Sequence, residues 1–327
     1  MPSDLLYSHD SLHAASHQAS YPDLNALVEE IARNLGCTDL PYTTDGHCEL
    51  ILNGDRSLTI WHAEDRLSLL LIAELNVPPG IDEESVSRSA LGYCLGAASI
   101  NAPVIGRNED GALVLIWSMP ADGSEDLAAE GISFFLENFE LAESILAGEE
   151  VGEKGIEQAS GATEPAASNQ AALQSVAEAL GLEKIEFDED GFGVFQLGNG
   201  NLVLLQHSPE RGQVTVLAQV TTLSTDGEQG LYSQALEYNL LAARDREPVL
   251  GLDTERQGLF LITTVNVQDS GATLVEPLLE LFMNRYAKCV GTVYDPDYEE
   301  RLEDEAAAAN VGAGLADDEV LQTGIRV

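Results

Sequence analysis

Histidines are the residues whose spacing first suggests chemistry in this sequence. His9, His13 and His17 are four residues apart, which on a helix would place three imidazoles on one face, where they could hold a metal ion. Nothing else in this polar, Ser-rich stretch favours a stable helix, and no group of carboxylates accompanies the histidines. We therefore predict a mobile tail over residues 1–22, no metal site and no cofactor.

Motifs of enzymatic chemistry are missing from the sequence. There is no GxSxG elbow, no P-loop and no HExxH pair. Gly191 and Gly193 lack the third glycine of a dinucleotide-binding fingerprint. His62 and His207 lie 145 residues apart, which fits either a shared functional position or two strand-end histidines with half-exposed rings. We predict no catalytic residues and a protein that is not an enzyme.

The charge balance restricts the possible partners. The 327 residues include 15 Lys and Arg against 56 Asp and Glu, a formal net charge of −41. Such a potential repels nucleic-acid phosphates and anionic lipid headgroups, so neither partner is expected. It suits a basic partner or one that must be kept from aggregating, although halophilic adaptation or a merely solvated surface would explain it equally well.

The remaining bulk features predict a soluble, cytoplasmic protein. No apolar stretch approaches the roughly 20 residues of a membrane span, and no signal peptide is visible. The four cysteines, Cys37, Cys48, Cys94 and Cys289, form no CxxC pair, which favours reduced thiols.

A repeated segment organises the chain. Residues 91–106 read LGYCLGAASINAPVIG, and residues 236–251 read LEYNLLAARDREPVLG. Leu, Tyr, Leu, Ala-Ala, Pro and Gly recur at the same places, 145 residues apart. The offset holds for other turns and strands and slips by one after this helix, so that Leu115-Ile116 matches Leu261-Ile262. The sequence therefore predicts a duplication.

Hydrophobic periodicity predicts the same order of elements in both copies, namely α-β-β-β-α-β-β-α. In the first copy we expect helices at 24–35, 82–99 and 125–146 and strands at 48–52, 58–61, 67–75, 104–106 and 113–119. The third strand is apolar on both faces over 69–72, which predicts cover on both sides. The fold class is α+β, with two tandem units that each carry an antiparallel sheet packed with helices.

Composition predicts the unit boundaries. The first unit covers 23–147, a Gly-, Glu- and Ala-rich linker covers 148–170, and the second unit covers 171–291. Its last helix is expected at 274–290, with Pro277 in the first turn. An acidic tail over 292–327 either solvates the chain or shields a binding surface until cargo arrives.

The repeated order resembles the class I type III secretion chaperones, the CesT/Tir-chaperone family. The resemblance is carried by the Leu-Gly ends of the opening helices (Leu35-Gly36, Leu180-Gly181), the Asp-Gly turns, the long apolar third strand and the Leu-x-Tyr-x-Leu helix with its Pro and Gly. It implies a bacterial, non-catalytic protein that binds secreted effector proteins. An extended N-terminal effector segment would add a strand to the sheet and fill apolar grooves, for delivery to a type III secretion system.

Family members are usually homodimers that pair through the second helix, whereas this chain carries two units. We therefore expect an intramolecular pseudo-dimer, a monomer with an internal pseudo-two-fold, rather than a homodimer of tandem chains. The inter-unit interface is expected to place small residues against larger ones. Its predicted residues are Leu91, Gly92, Leu95, Gly96, Leu236, Leu240 and Leu241.

The predicted cargo-binding residues are apolar residues of the strands that would line the expected groove. The candidates are Leu50, Leu52, Trp61 and Leu69 in the first unit and Phe192, Phe195, Leu204 and Val216 in the second. Each could instead belong to the core, because strand side chains alternate and the sequence does not show which face is covered. A regulatory or adaptor protein of the same fold, binding a folded partner, is the alternative function.

Overall fold

Two five-stranded antiparallel sheets dominate the computed structural model, which describes residues 47–51, 57–63, 68–120, 125–149, 176, 191–196, 202–208, 211–223, 229–266 and 272–294. The first sheet consists of β1 (His47–Ile51), β2 (Ser57–Ala63), β3 (Ser68–Glu74), β4 (Val104–Arg107) and β5 (Leu113–Pro120), in the order β1-β2-β3-β5-β4. Its helices are α1 (Glu83–Ser99) and α2 (Glu125–Leu146).

The second sheet repeats this arrangement. It consists of β6 (Phe192–Gln196), β7 (Leu202–Ser208), β8 (Gln213–Thr222), β9 (Val249–Asp253) and β10 (Gly258–Asn266), in the order β6-β7-β8-β10-β9, with helices α3 (Gln229–Asp245) and α4 (Ala272–Tyr294). Ile116 pairs with Val104, and Ile262 pairs with Val249. The spacing therefore changes from 145 to 146 between these strands, which confirms the predicted one-residue slip.

Local sequence signals explain the central helix of the first unit. The Asp82 side chain caps α1 by accepting a hydrogen bond from the Ser85 backbone N–H at 2.9 Å. A hydrogen bond with the Ser85 side chain, followed by this backbone contact, lowers the pKa of the Asp82 carboxyl below its usual value. Glu83 and Glu84 in the first turn complement the positive end of the helix dipole.

The cores lie between each sheet and its own helices. In β3, Leu69, Leu70 and Leu71 are all buried, so the prediction that this strand is covered on both faces is confirmed. In β8, Val214, Val216 and Ala218 alternate with side chains of the opposite face. We call the face of each sheet that meets its own unit's helices the inner face, and the opposite one the outer face.

Some expectations are corrected, and others fall outside the described residues. Pro277 is predicted in the first turn of the last helix, which is wrong. The helix begins at Ala272, so Pro277 is its sixth residue and lies beyond the first turn. The tail with His9, His13 and His17, the opening helix at 24–35, the linker over 150–170 and the residues after 294 are not among the described residues.

No described helix is long and apolar enough to cross a membrane. Within the same residues, no three His, Cys, Asp or Glu side chains form a cluster suited to a metal ion.

Each central helix lies on the outer face of the other unit's sheet. Helix α1 packs against β9 and β10, α3 packs against β4 and β5, and the two helices also contact each other. A Cβ atom on Gly106 would lie 2.8 Å from the Leu240 Cα, and one on Gly251 would lie 2.7 Å from the Leu95 Cα. These two contacts are reciprocal, because the residues of each pair lie 145 positions from their counterparts. We call this contact region the seam.

Hydrogen bonds across the seam satisfy the end of α1. Thr215 Oγ1 donates to the Ser99 carbonyl at 3.1 Å, and Thr264 Oγ1 donates to the Ala98 carbonyl at 2.7 Å. These carbonyls belong to the last turn of the helix, and the Ala98 carbonyl also accepts a hydrogen bond from the Asn101 backbone N–H at 3.3 Å. Arg246 Nε also donates to Ser118 Oγ at 3.0 Å.

A buried polar pair lies at the centre of the seam. The Asn239 side chain accepts a hydrogen bond from the Leu250 N–H at 2.6 Å and donates to the Leu250 carbonyl at 2.8 Å. Its counterpart Cys94 contacts the backbone of Ile105 in the same way, with Sγ 3.2 Å from the N–H and 3.4 Å from the carbonyl oxygen. Burial raises the pKa of the Cys94 thiol to about 12, although hydrogen bonds from Ile105 and Asn239 oppose the shift.

The residues that make the close contacts between the two units differ in part from the predicted ones. Leu91 and Leu236 are fully buried, and Leu95 and Leu240 lie against the glycines of the opposite strands. The small residues that permit close approach are therefore strand glycines in both copies, rather than one helix carrying small residues against a second carrying large ones. Leu241 is 54% exposed and lies away from the seam. Gly96 is half-buried, and a Cβ on Gly92 would lie 4.0 Å from Leu252 and Thr254.

The seam glycines give a first prediction. Gly106→Ala and Gly251→Ala should each lower the free energy of unfolding by about 1–3 kcal/mol, because the new methyl group meets backbone atoms that cannot move aside. Gly92→Ala is the matched control, since its methyl group meets only ordinary contacts. It should stabilise the helix by about 0.5–1 kcal/mol. Urea denaturation measures all three, and equal effects at the three glycines would contradict the proposed tight contact.

The Cys94 thiol gives a second prediction. The pKa of this thiol is higher in the folded than in the unfolded protein. Its contribution to the stability of the folded state is therefore present below the unfolded pKa near 9 and is lost as the pH rises above that value. We expect ionisation of this group to lower the free energy of unfolding by roughly 1 kcal/mol at pH 10. Urea denaturation of wild type and Cys94→Ala at pH 7 and pH 10 should show a smaller difference between them at pH 10. An unchanged difference would refute the assignment.

Candidate functional site

The outer faces of the two sheets are only partly covered by the seam. Helix α1 lies over β9 and β10. Its C-terminal end reaches β8, where Thr215 donates a hydrogen bond to the Ser99 carbonyl. The part of the second sheet formed by β6 and β7 extends beyond this cover. The same holds for β1 and β2 of the first sheet, because α3 lies over β4 and β5.

The uncovered part of the second sheet is apolar. Phe192 and Val194 of β6 and Leu202 of β7 are 43%, 59% and 53% exposed. Val194 pairs directly with Leu204, and Leu204 pairs with Leu217 on β8, so the row continues across three strands on one face. We call these five residues the β6–β8 patch. Exposed apolar side chains that form a contiguous group mark an interaction surface.

The corresponding surface of the first sheet has a different chemistry. The residues equivalent to Val194, Leu202 and Leu204, 145 positions earlier, are Glu49, Ser57 and Thr59. Apolar side chains there are Ile51, at the end of β1, and Trp61, on β2. The two units therefore share a backbone but present different surfaces.

The β6–β8 patch lies beside β6, the edge strand of the second sheet as described. Among the described residues, β6 pairs with β7 and no strand pairs with its other side. An edge strand is the position at which an extended segment can be added to a sheet. The first sheet has the same edge at β1.

The predicted cargo-binding residues divide between the two faces. Trp61, Phe192 and Leu204 lie on the outer faces, the first two of them strongly exposed. Phe195 is half-buried and pairs with the fully buried Val203, so it lies on the inner face. Leu69 and Val216 have no exposed surface, which corrects their assignment, because a fully buried side chain cannot line a groove. Leu52 and the side chain of Leu50 are outside what the structure describes.

Val194 and Leu202 belong to the patch but were missing from the sequence-based set. A signal was available, because Phe192-x-Val194 and Leu202-x-Leu204 both place apolar residues at alternate positions. The opposite faces of the same strands also carry apolar residues, Phe195 on β6 and Val203 on β7. The pattern alone therefore does not show which face is exposed.

The other residues with possible chemistry have structural explanations. His207 is half-buried in β7, and burial lowers the pKa of its imidazole. Gly191 has a φ of +81°, and a Cβ there would lie 2.6 Å from the His207 carbonyl oxygen. This glycine therefore permits the turn that leads into β6.

Comparison with known proteins gives one family. The sequence profile of the Tir chaperone protein (CesT) family matches residues 26–143 and again residues 171–288. These two matches confirm the duplication and the resemblance. A search of curated proteins found no match.

Solved structures that resemble part of this chain include chains of three protein complexes. A chain of the HopA1–SchA chaperone–effector complex is 24% identical, with 37% of this chain and 92% of that chain covered and a TM-score of 0.31. A chain of the Yersinia pestis type III secretion chaperone SycH with a stable fragment of YscM2 is 23% identical, with 37% and 99% covered and a TM-score of 0.30. A chain of the ExsC–ExsE complex is 20% identical, with 36% and 86% covered and a TM-score of 0.30.

Proposed function

Because the chain belongs to the Tir chaperone protein (CesT) family through both of its halves, we propose that it is a single-chain type III secretion chaperone that holds an effector segment on the β6–β8 patch. The family membership supports effector binding and a non-catalytic role. The cytoplasm of a bacterium is the proposed location. The units at 23–147 and 171–291, the linker between them and the tail at 292–327 are the proposed domain organisation.

The β6–β8 patch is the observation that carries the proposal. Its three strongly exposed side chains, Phe192, Val194 and Leu202, lie directly beside the edge of β6. An extended segment added at this edge gains main-chain hydrogen bonds, and every second side chain of that segment faces the patch. The chemistry of the occupant follows: alternating apolar residues in an otherwise polar or basic segment, because the chain carries a net charge of −41.

The seam supports the proposal that the two units replace the two subunits of a homodimer. Leu95 against Gly251 and Leu240 against Gly106 form a reciprocal pair within one chain. A symmetric dimer would present the same contact twice with identical residues. The surfaces through which a second chain would pair are therefore occupied internally.

Substitution in the patch gives a third prediction. The double variant Val194→Glu/Leu202→Glu should lose effector binding by at least about tenfold, since two carboxylates replace apolar contacts. Its melting temperature should stay within a few degrees of wild type, because both side chains are already exposed. The measurement is a pull-down with the tagged full-length chain, mass spectrometry of captured proteins, and titration of the main captured effector.

The first unit supplies the matched control. Ser57→Glu places a carboxylate at the position equivalent to Leu202 and should leave binding of that effector unchanged. Equal binding by wild type and the double variant would refute the patch as the binding surface. The captured effector should also remain protease-sensitive within the complex, whereas protection of a complete folded domain would favour an adaptor function.

The oligomeric state gives a fourth prediction. Size-exclusion chromatography with light scattering should give the mass of one chain, 35.0 kDa, at micromolar concentration. A species of about twice that mass would show that tandem chains pair again and would contradict the internal pseudo-dimer. Such a result would leave the duplication and the family assignment intact.

A further inference from the structure

A groove opens at the end of the seam where α1 begins, and we call it the α1–β9 groove. Its volume is about 720 Å³, within the range of small-molecule sites. Helix α1, the last turn of α2 and the end of β9 with the turn that follows line it. Strand β9 is at the opposite edge of the second sheet from β6. The groove is therefore separate from the β6–β8 patch, and its role does not depend on the function proposed for that patch.

The seam contacts explain why there is space at this place. The Leu95 Cα lies against Gly251, and about one turn earlier a Cβ on Gly92 would lie 4.0 Å from the Thr254 methyl group. Strand β9 ends at Asp253. The first turns of α1 therefore extend beyond the strand that the rest of the helix covers, and the groove forms beside them.

Arg88 is the unusual residue of the lining. Among the basic side chains of the described residues, it alone makes no hydrogen bond, ion pair or other electrostatic contact. The side chain is half-buried, and Glu84 does not pair with it although their i,i+4 spacing would allow a pair. In a chain with 56 acidic residues, a half-buried guanidinium without a carboxylate favours an acceptor supplied by a ligand.

The lining changes from polar to apolar along α1. Ser89 lies beside Arg88, and its hydroxyl makes no hydrogen bond within the described residues. Leu95 follows two turns later, and Ile145 of α2 adds a further apolar side chain. The Tyr93 hydroxyl already donates to Asn138, so this residue offers the groove mainly its ring. Such a lining fits a ligand with one oxyanion and an apolar body.

Two carboxylates of the lining limit how much negative charge the groove accepts. Asp253 accepts hydrogen bonds from the backbone N–H groups of Glu255 and Arg256 and lies 3.7 Å from the Arg256 guanidinium, so its charge is compensated. Glu84 lies in the first turn of α1, where the helix dipole stabilises it. It is also one turn from Arg88 and weakens the attraction for an anion. The groove therefore suits a ligand with a single negative charge.

The equivalent place in the second unit has a different chemistry. The counterparts of Arg88 and Gly92, 145 positions later, are Ser233 and Glu237. The Ser233 hydroxyl donates to the Glu237 carboxylate at 3.4 Å. An anion would meet a hydroxyl in place of the guanidinium and a carboxylate in place of the glycine, so the donor set belongs to the first unit.

We propose that the α1–β9 groove binds a small amphiphilic carboxylate. The carboxylate accepts hydrogen bonds from the Arg88 guanidinium and the Ser89 hydroxyl, and the apolar body lies along Leu95 and Ile145. The ligand contacts α1 and α2 of the first unit and β9 of the second. Because it binds across the seam, it stabilises the folded arrangement of the two units.

The test uses the full-length chain and dansylaminoundecanoic acid, with the primary amide of the same compound as the neutral control. Fluorescence titration at neutral pH and about 150 mM NaCl measures both, where long-range repulsion by the acidic chain is screened. We expect the acid to bind about tenfold more tightly than the amide. Decanoate should displace the acid, whereas a short peptide with an apolar C-terminal residue should not.

Four variants locate the binding, and their melting temperatures report whether each is folded. Arg88→Gln should remove the preference for the acid, Glu84→Gln should increase it, and Ser89→Leu should weaken both probes by filling the groove. Ser57→Glu changes the net charge by the same amount as Arg88→Gln and should leave binding unchanged.

Equal binding of acid and amide by the wild type would overturn the proposal. An unchanged preference in Arg88→Gln, or an equal loss of preference in Ser57→Glu, would do the same. Displacement of the probe by the peptide would overturn the assignment to a small molecule.

Discussion

The close approach of a helix backbone to a glycine in the opposite sheet is the contact on which the rest of the structure depends. Leu95 can lie over β9 because Gly251 has no Cβ, and Leu240 can lie over β4 because Gly106 has none. These two contacts fix how far each central helix extends over the other unit's sheet. They therefore also fix what is left uncovered, which is the β6–β8 patch on the second sheet and the more polar surface around Trp61 on the first. The proposed binding surface is therefore the part of the sheet that the seam leaves exposed.

Sequence patterns predicted the elements well because those patterns are local. Helix α2 begins and ends where its periodicity indicates, and the slip between β4 and β5 appears in the strand pairing. The glycine and leucine of each repeat were also visible, but the partner of each lies in the other copy. Spacing along the chain does not show that Gly106 meets Leu240. The same limit applied to the strands, where Phe195 and Val216 were placed on the binding side although they face the core.

Duplication within one chain removes a constraint that acts on a homodimer. In a symmetric dimer, any substitution appears on both subunits, so both sheets change together. Here the buried positions match in kind, as with Phe135 and Phe282, because the core must still be filled. Outer positions have diverged, with Glu49 opposite in character to Val194. The seam keeps its geometry while its residues differ. Cys94 and Asn239 each contact the backbone of the equivalent strand residue, one through a thiol and the other through an amide.

The strong negative charge is compatible with the exposed apolar patch for a physical reason. An apolar surface beside an edge strand favours self-association. Two chains that each carry a net charge of −41 repel one another at long range, so patch-to-patch encounters between copies are suppressed. A basic or neutral partner segment is not repelled and reaches the same surface. In the proposed function, the charge thus discriminates between partners before any short-range contact forms, and the patch supplies the contact that holds the partner.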